Sequence, residues 1–207
     1  MQRTDPVLLW CHSISMATEF DWNNSLLEQW EWHWNNQIRA RFQGLTDDEY
    51  FWSPVPDPWN VWPRGASTAP LQAGAGDFTI DFAFPQPDPA PFTTIAWRLG
   101  HVIVGVLAAR NASHFGAPPA SYESWEYAGT AKDALDQLET QLDVWVKGVR
   151  GLSYTELIAP VGDTEPYPEL AVADLVLHIH RELIHHLSEV SLLRDLYAHT
   201  PKEGKES

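Results

Sequence analysis

The sequence has almost no cysteine: Cys11 is the only one in 207 residues. A lone thiol excludes an internal disulfide framework and suits a reducing compartment. Basic residues are scarce too. Thirteen Lys and Arg stand against 28 Asp and Glu, giving a formal charge of −15 and a pI near 4.8. That balance argues against a nucleic-acid partner, because phosphate binding needs clustered Lys and Arg, and it disfavours an anionic membrane surface for the same reason. Long apolar runs are also missing. The early run "VLLW" at Val7–Trp10 is far shorter than a signal-peptide core or a membrane span, so a cytoplasmic protein is expected.

Tryptophan is abundant, with eleven residues. Large flat rings bury area at little entropic cost, so most are expected in the core or in the wall of an aromatic-lined cavity.

Apolar periodicity predicts four helices in one all-α domain over residues 21–199, with a 1–20 extension and a polar tail at 200–207. The first runs from about Asn24 to Gln43, where Leu26, Trp30, Trp34, Ile38 and Phe42 recur every fourth residue and Gly44 supplies a stop. The second starts after Thr93 or Thr94 and reaches about Ser113. The third opens at Thr130, with Asp133 placed for a capping-box-like contact. The fourth spans about Ala171 to Tyr197. Two connections, 44–92 and 150–169, are long and proline-bearing. Long connections permit parallel neighbours, which suggests an up-up-down-down four-helix bundle. Within the first, "DFTIDFAF" at 77–84 alternates Phe78, Ile80, Phe82 and Phe84 with smaller or polar residues, as a short strand would. A faint internal echo joins "GLTDDE" (Gly44–Glu49) to "GLSYTE" (Gly151–Glu156). Each pairs a glycine stop with a capping-box spacing for a short following helix, and makes helices two and four equivalent.

The fourth helix carries "HIHRELIHHLSEV" at 178–190, four of the nine histidines. With Glu182 set to zero on a wheel of about 100° per residue, His186 falls about 40° away, inside the apolar arc, and Glu182 sits on its edge. His180 and His185 fall outside it. A buried carboxylate needs a partner, which an Arg, a Lys or a divalent cation could each supply. On helix two, His101 lies one turn after Trp97 in a stretch whose only other ionisable group is Arg98. A lone histidine in an apolar helix is most often a satisfied core residue. Here, if the echo holds, it occupies the helix equivalent to the one bearing Glu182 and His186. Two imidazoles and a carboxylate make a three-ligand set that leaves a fourth position for water or substrate.

Four stretches, "TIAWRLGH" (Thr94–His101), "ARNASHFG" (Ala109–Gly116), "GLTDDEYFWSPVP" (Gly44–Pro56) and "HIHRELIHHLSEVSLLRDLY" (His178–Tyr197), resemble the DinB/YfiT-like superfamily of metal-binding four-helix bundles. The usual superfamily pattern has one histidine on helix two and a His-x-x-x-His pair on the last helix. This sequence matches it at His101 and His186 but carries Glu182 in place of a histidine, as in the mycothiol-dependent maleylpyruvate isomerase branch. The resemblance implies His101, Glu182 and His186 as metal ligands, with zinc the first candidate and nickel, iron or manganese also suited to such donors. It also implies thiol chemistry: a metal-dependent transferase joining a low-molecular-weight thiol such as mycothiol to a small electrophile. The alternatives are a metal-dependent isomerase, lyase or hydrolase working without a thiol, and a non-catalytic metal-binding protein. Arg98, Arg110, Asn111, His178, His185, Glu189 and Arg194 are candidates for supporting or substrate-site roles. Related bundles often dimerise, so a homodimer is an expectation as well.

Overall fold

The computed structural model describes residues 20–201. The extension before residue 20, with Cys11 and Val7–Trp10, and the tail beyond Pro201 lie outside the described residues.

Asp21 accepts a hydrogen bond from the Asn24 amide at 3.0 Å, so α1 (Trp22–His33) begins two residues before the expected Asn24. The helix continues through a π-helical segment, Trp34–Ile38, into α2 (Arg39–Phe42). Apolar residues spaced by four drift around an α-helix by about 40° per step. The wider i→i+5 turns of the π segment absorb that drift, so Trp30, Ile38 and Phe42 all reach the core. Gly44, at φ 70°, takes the left-handed conformation that ends the helix.

Both halves of the internal echo form short capped helices. In α3 (Asp47–Tyr50) Thr46 and Glu49 bond reciprocally, as do Ser153 and Glu156 in α7 (Tyr154–Leu157). The glycines differ, however. Gly151 is the last residue of α6 (Ala131–Gly151), and the chain leaves through extended Leu152 rather than through a left-handed glycine.

The long connection before helix two holds more than one strand, so the chain is mostly helical rather than purely all-α. β1 (Val61–Pro63), β2 (Leu71–Ala73) and β3 (Phe78–Phe82) form an antiparallel sheet in the order β1-β3-β2. The strand forms within the alternating stretch, and its polar members Thr79 and Asp81 are buried beside Ile80. Asp81 is satisfied there, accepting from the Asn60 amide at 2.9 Å, Trp62 Nε1 at 2.8 Å and Ser67 Oγ at 2.5 Å. Phe84, the last member of that alternation, is 91% exposed because the strand ends at Phe82.

This sheet fixes the start of the second long helix. Thr94 Oγ1 donates to Asn60 Oδ1 at 2.7 Å and caps the Trp97 amide, while Trp97 Nε1 donates to the Asp81 carbonyl at 2.8 Å. From that anchor run α4 (Ile95–His101), a π-helical segment Val102–Ala108, and α5 (Ala109–Phe115), which ends two residues beyond the expected Ser113, at the left-handed Gly116 cap. α6 starts at its expected cap, with Thr130 Oγ1 accepting from the Asp133 amide at 3.1 Å. α8 (Val172–His199) is the last and longest helix, and Asp174 accepts from the Ala171 amide at its start.

The long helices bury one core, in which Trp30 and Trp145 are fully enclosed. Trp22 and Trp32, by contrast, are exposed. His180, which the helical wheel placed outside the apolar arc, is 5% exposed. α1 and α6 cover that side of α8, and the imidazole uses both nitrogens there. Trp145 Nε1 donates to its Nε2 at 3.1 Å, the ring bonds to the Leu26 backbone, and it stacks on Trp30 at 6.1 Å. Burial pushes its pKa down to about 4, so it is neutral in the folded protein at pH 7.

Candidate metal centre

His101 ends α4 and is held on one ring face and at one ring nitrogen. Trp97 lies one turn earlier and stacks on it, with centroids 5.5 Å apart and planes 14° from parallel. Tyr122 lies nearly parallel at 6.4 Å, and its phenol oxygen is 2.7 Å from His101 Nδ1. Gly105, one turn further along, makes room for that phenol. A Cβ there would meet Tyr122 Oη at 1.9 Å and His101 Nδ1 at 3.3 Å. Burial, then the nearby His186, Arg110 and Arg98, push His101 down to about 4, so its ring is neutral at pH 7 and has a lone pair to give. Burial pushes Tyr122 up to about 12, keeping it a phenol.

The ring of His186 meets that of His101 edge-on, with centroids 4.9 Å apart. The spacing of 182, 186 and 189 on one helix puts a carboxylate on each side of His186. Its Nδ1 is 2.9 Å from Glu189 Oε2, and its Nε2 is 3.6 Å from Glu182 Oε2. Arg98 reaches across from α4 to bind the same Glu189 oxygen. Burial alone would raise the Glu189 pKa, but the His186 bond and the Arg98 charge carry it below the usual carboxylate value. Each histidine therefore has Nδ1 engaged, His101 by Tyr122 and His186 by the Arg98-anchored Glu189. Engaging one ring nitrogen fixes ring orientation and presents the other, Nε2, as the donor.

A second, overlapping group uses the other edge of His186. Among the described residues, His185, His186 and Glu189 are the group whose three donor atoms all lie within 4.8 Å of one another. His101 and Glu182 are not members of that group. Glu189 already binds Arg98, whose charge opposes a cation at that point, and the His185 side chain is 62% exposed.

The remaining candidates divide between this cluster and other tasks. His178 Nδ1 lies 3.6 Å from Glu182 Oε1 and 2.6 Å from an Arg181 amine. Arg110 bonds the Gly105 carbonyl and Glu165, which also meets His114 at 3.1 Å. Asn111 is fully buried against α6, its amide donating to the Gln141 carbonyl at 3.0 Å, and so faces away from the cluster. Arg194 ties α8 to the turn after α2, bonding Glu49 at 3.0 Å and the carbonyls of Arg41 and Gln43. Tyr122 and Gly105 were not singled out by sequence reasoning. Tyr122 lies in the irregular segment between α5 and α6, where no periodicity marks it, and only coordinates relate Gly105 to it.

A cavity of about 520 Å³ is walled by Val161, Pro166, Tyr167, Leu170, Leu175 and Leu177; His101, Glu182 and His186 do not line it, but its polar residues include His178 and Arg181, which lie against Glu182, and Arg110. A larger one of about 820 Å³, bounded by residues such as Asn23, Arg150 and Tyr154, shares no residue with the cluster.

A mostly helical chain that brings a histidine from one long helix against a carboxylate–histidine pair on another invites comparison with known families. The model of the DinB superfamily matches residues 29–190, a span holding every residue of the cluster, and the chain belongs to that superfamily. No curated protein and no solved structure matches it.

Proposed function

We propose that the protein is a metal-dependent transferase that adds a low-molecular-weight thiol, of the mycothiol kind, to a small electrophile. His101, Glu182 and His186 hold a divalent cation, zinc first among the candidates, on facing second and fourth helices of a four-helix bundle. The observation that supports the ligand assignment is the matched engagement of both Nδ1 atoms, which leaves Nε2 as the donor of each ring, that of His186 lying 3.6 Å from the Glu182 carboxylate. Two neutral imidazoles and one carboxylate suit such a cation, and three protein ligands leave a position for a substrate atom. A cation bound there lowers the pKa of a thiol that reaches it and so supplies thiolate at neutral pH.

The chain's own groups do the rest. Tyr122 and the Glu189–Arg98 pair keep the two imidazoles in one orientation, so no ring has to reorganise on binding. The 520 Å³ cavity supplies apolar walls for the body of the electrophile and shields it from water. Arg110 keeps a buried Nε with no partner among the described residues, a donor that a polar group of the electrophile would satisfy. Proximity then does the work that an added nucleophilic side chain would do elsewhere.

Elemental analysis of the native protein beside His101→Ala and Glu182→Ala tests the chelate: stoichiometric metal in the native protein and loss in both variants is expected. Turnover of monobromobimane above background with mycothiol or bacillithiol, and none without a thiol, tests the chemistry. Thiol-independent turnover of a substrate by the metal-loaded protein would instead favour an isomerase, lyase or hydrolase.

A further inference from the structure

Part of the 520 Å³ cavity wall is a loop whose ends meet. The Val172 amide donates to the Ala159 carbonyl at 2.9 Å, and the Val161 amide to the Leu170 carbonyl at 2.8 Å. Between those contacts the chain turns through Gly162, at φ 83°, and supplies Glu165 and Tyr167 to a wall shared with the first turns of α8. Glu165 ties this loop to α5. Its side chain is only 6% exposed, with Oε2 3.3 Å from Arg110 Nη2 and Oε1 3.1 Å from His114 Nε2.

The charges around the cavity are already answered. Arg110 is countered by Glu165. Arg181 lies 3.7 Å from Glu182 and bonds His178. Asp174 accepts from the Ala171 amide at 3.2 Å, at the start of α8, where the helix dipole favours a negative group. Among the described lining residues, no charge of either sign is left to meet a charged guest. A carboxylate entering between Val161, Leu170 and Leu175 would lose water and gain no countercharge, which is unfavourable. A neutral oxygen loses far less. Arg110 Nε, buried with no partner among the described residues, is a donor that suits it.

We propose that this cavity selects a neutral guest, an apolar body carrying a carbonyl or amide oxygen, and that Glu165 is the residue that excludes anions. Without the Glu165 carboxylate the Arg110 charge stands uncompensated, and the same cavity becomes an anion site. The guest's identity as the electrophile rests on the function proposed above, whereas the charge preference belongs to the cavity itself.

Calorimetric titration of the full chain tests this with 1-naphthaleneacetamide and 1-naphthaleneacetate, which are alike in shape and differ in charge. The preference is read at about pH 8, where histidine is ordinarily neutral, and in EDTA, so that a carboxylate held by a cation is not counted. Native protein should bind the amide at least about tenfold tighter than the carboxylate. Glu165→Gln should cancel or reverse that preference, because Arg110 is then free to pair with the carboxylate. Arg110→Lys keeps the charge and loses the Nε donor, so the amide should weaken by about fivefold while the carboxylate stays disfavoured. Circular dichroism checks each fold, and the native and Arg110→Lys titrations decide even if Glu165→Gln does not fold. Native protein that binds both guests equally, prefers the carboxylate or binds neither would overturn the proposal, as would a folded Glu165→Gln that keeps the native preference. Metal content and thiol turnover of native protein without EDTA report separately. Their failure beside an intact amide preference would remove the electrophile and leave the neutral cavity standing.

Discussion

The phenol oxygen of Tyr122 and Nδ1 of His101 lie 2.7 Å apart, though 21 residues and a helix end separate them in the chain. The contact exists because residue 105 has no side chain to block it. A phenol at this position fixes which nitrogen the imidazole presents, a task that elsewhere falls to a carboxylate or a carbonyl.

Removing that phenol should loosen the chelate without unfolding the chain. Tyr122→Phe is expected to weaken metal binding by roughly 10- to 100-fold, measured by competition with a chromophoric chelator. Gly105→Ala forces the phenol aside and should produce a loss of similar size. Unchanged affinity in both would separate Tyr122 from the site.

His185 and Glu189 distinguish the two overlapping groups on α8. Because the first set uses Nε2 of His186, His185→Ala should retain stoichiometric metal. Glu189→Gln should bind metal about tenfold more weakly, since it orients His186 without being a ligand. Loss of metal from His185→Ala would move the centre to the other edge of His186.

His180 makes a prediction about acid stability. Its folded pKa of about 4 lies below the ordinary histidine value of 6.5, so between those values the unfolded chain binds more protons than the folded one. Stability is therefore greatest above pH 6.5 and falls as pH drops towards 4, by roughly 3 kcal/mol for this residue. His101, depressed for the same reason, adds a contribution of the same sign. Urea denaturation of metal-free His180→Gln should show a clearly shallower slope across that window, though not a flat one.

Arg194 is expected to matter for stability and not for metal. Its side chain is 17% exposed against a Glu49 that is 8% exposed, and removing one member of a buried pair strands the other. Arg194→Ala should cost about 3 kcal/mol by denaturant midpoint, with metal content unchanged.

The helices were legible because their caps and stripes are local. Thr94, Thr130 and the Thr46–Glu49 and Ser153–Glu156 boxes each act within three residues, so sequence alone marks them. The small sheet was only half legible. β3 alternates visibly, whereas β1 and β2 are three residues each and owe their place to pairing with it. His180 escaped the wheel because a wheel assumes one buried face, and α8 is covered on several sides. At the candidate site, 182, 186 and 189 could be related through helical spacing. The approach of His101 to His186, Arg98 to Glu189 and Tyr122 to His101 depends on tertiary packing, which no local pattern encodes.

The seven-residue π segment after His101 changes the angular phase of its own helix. Nine positions along an ideal α-helix amount to about half a revolution, which would turn residues 101 and 110 to opposite sides. The wide turns cancel much of that rotation, and the Arg110 charge comes near enough to bear on His101. Deleting a single residue between 102 and 108 would let the segment relax to regular winding and swing the guanidinium away. The length of this stretch is thus constrained as tightly as its composition, even though its aliphatic side chains face only the interior.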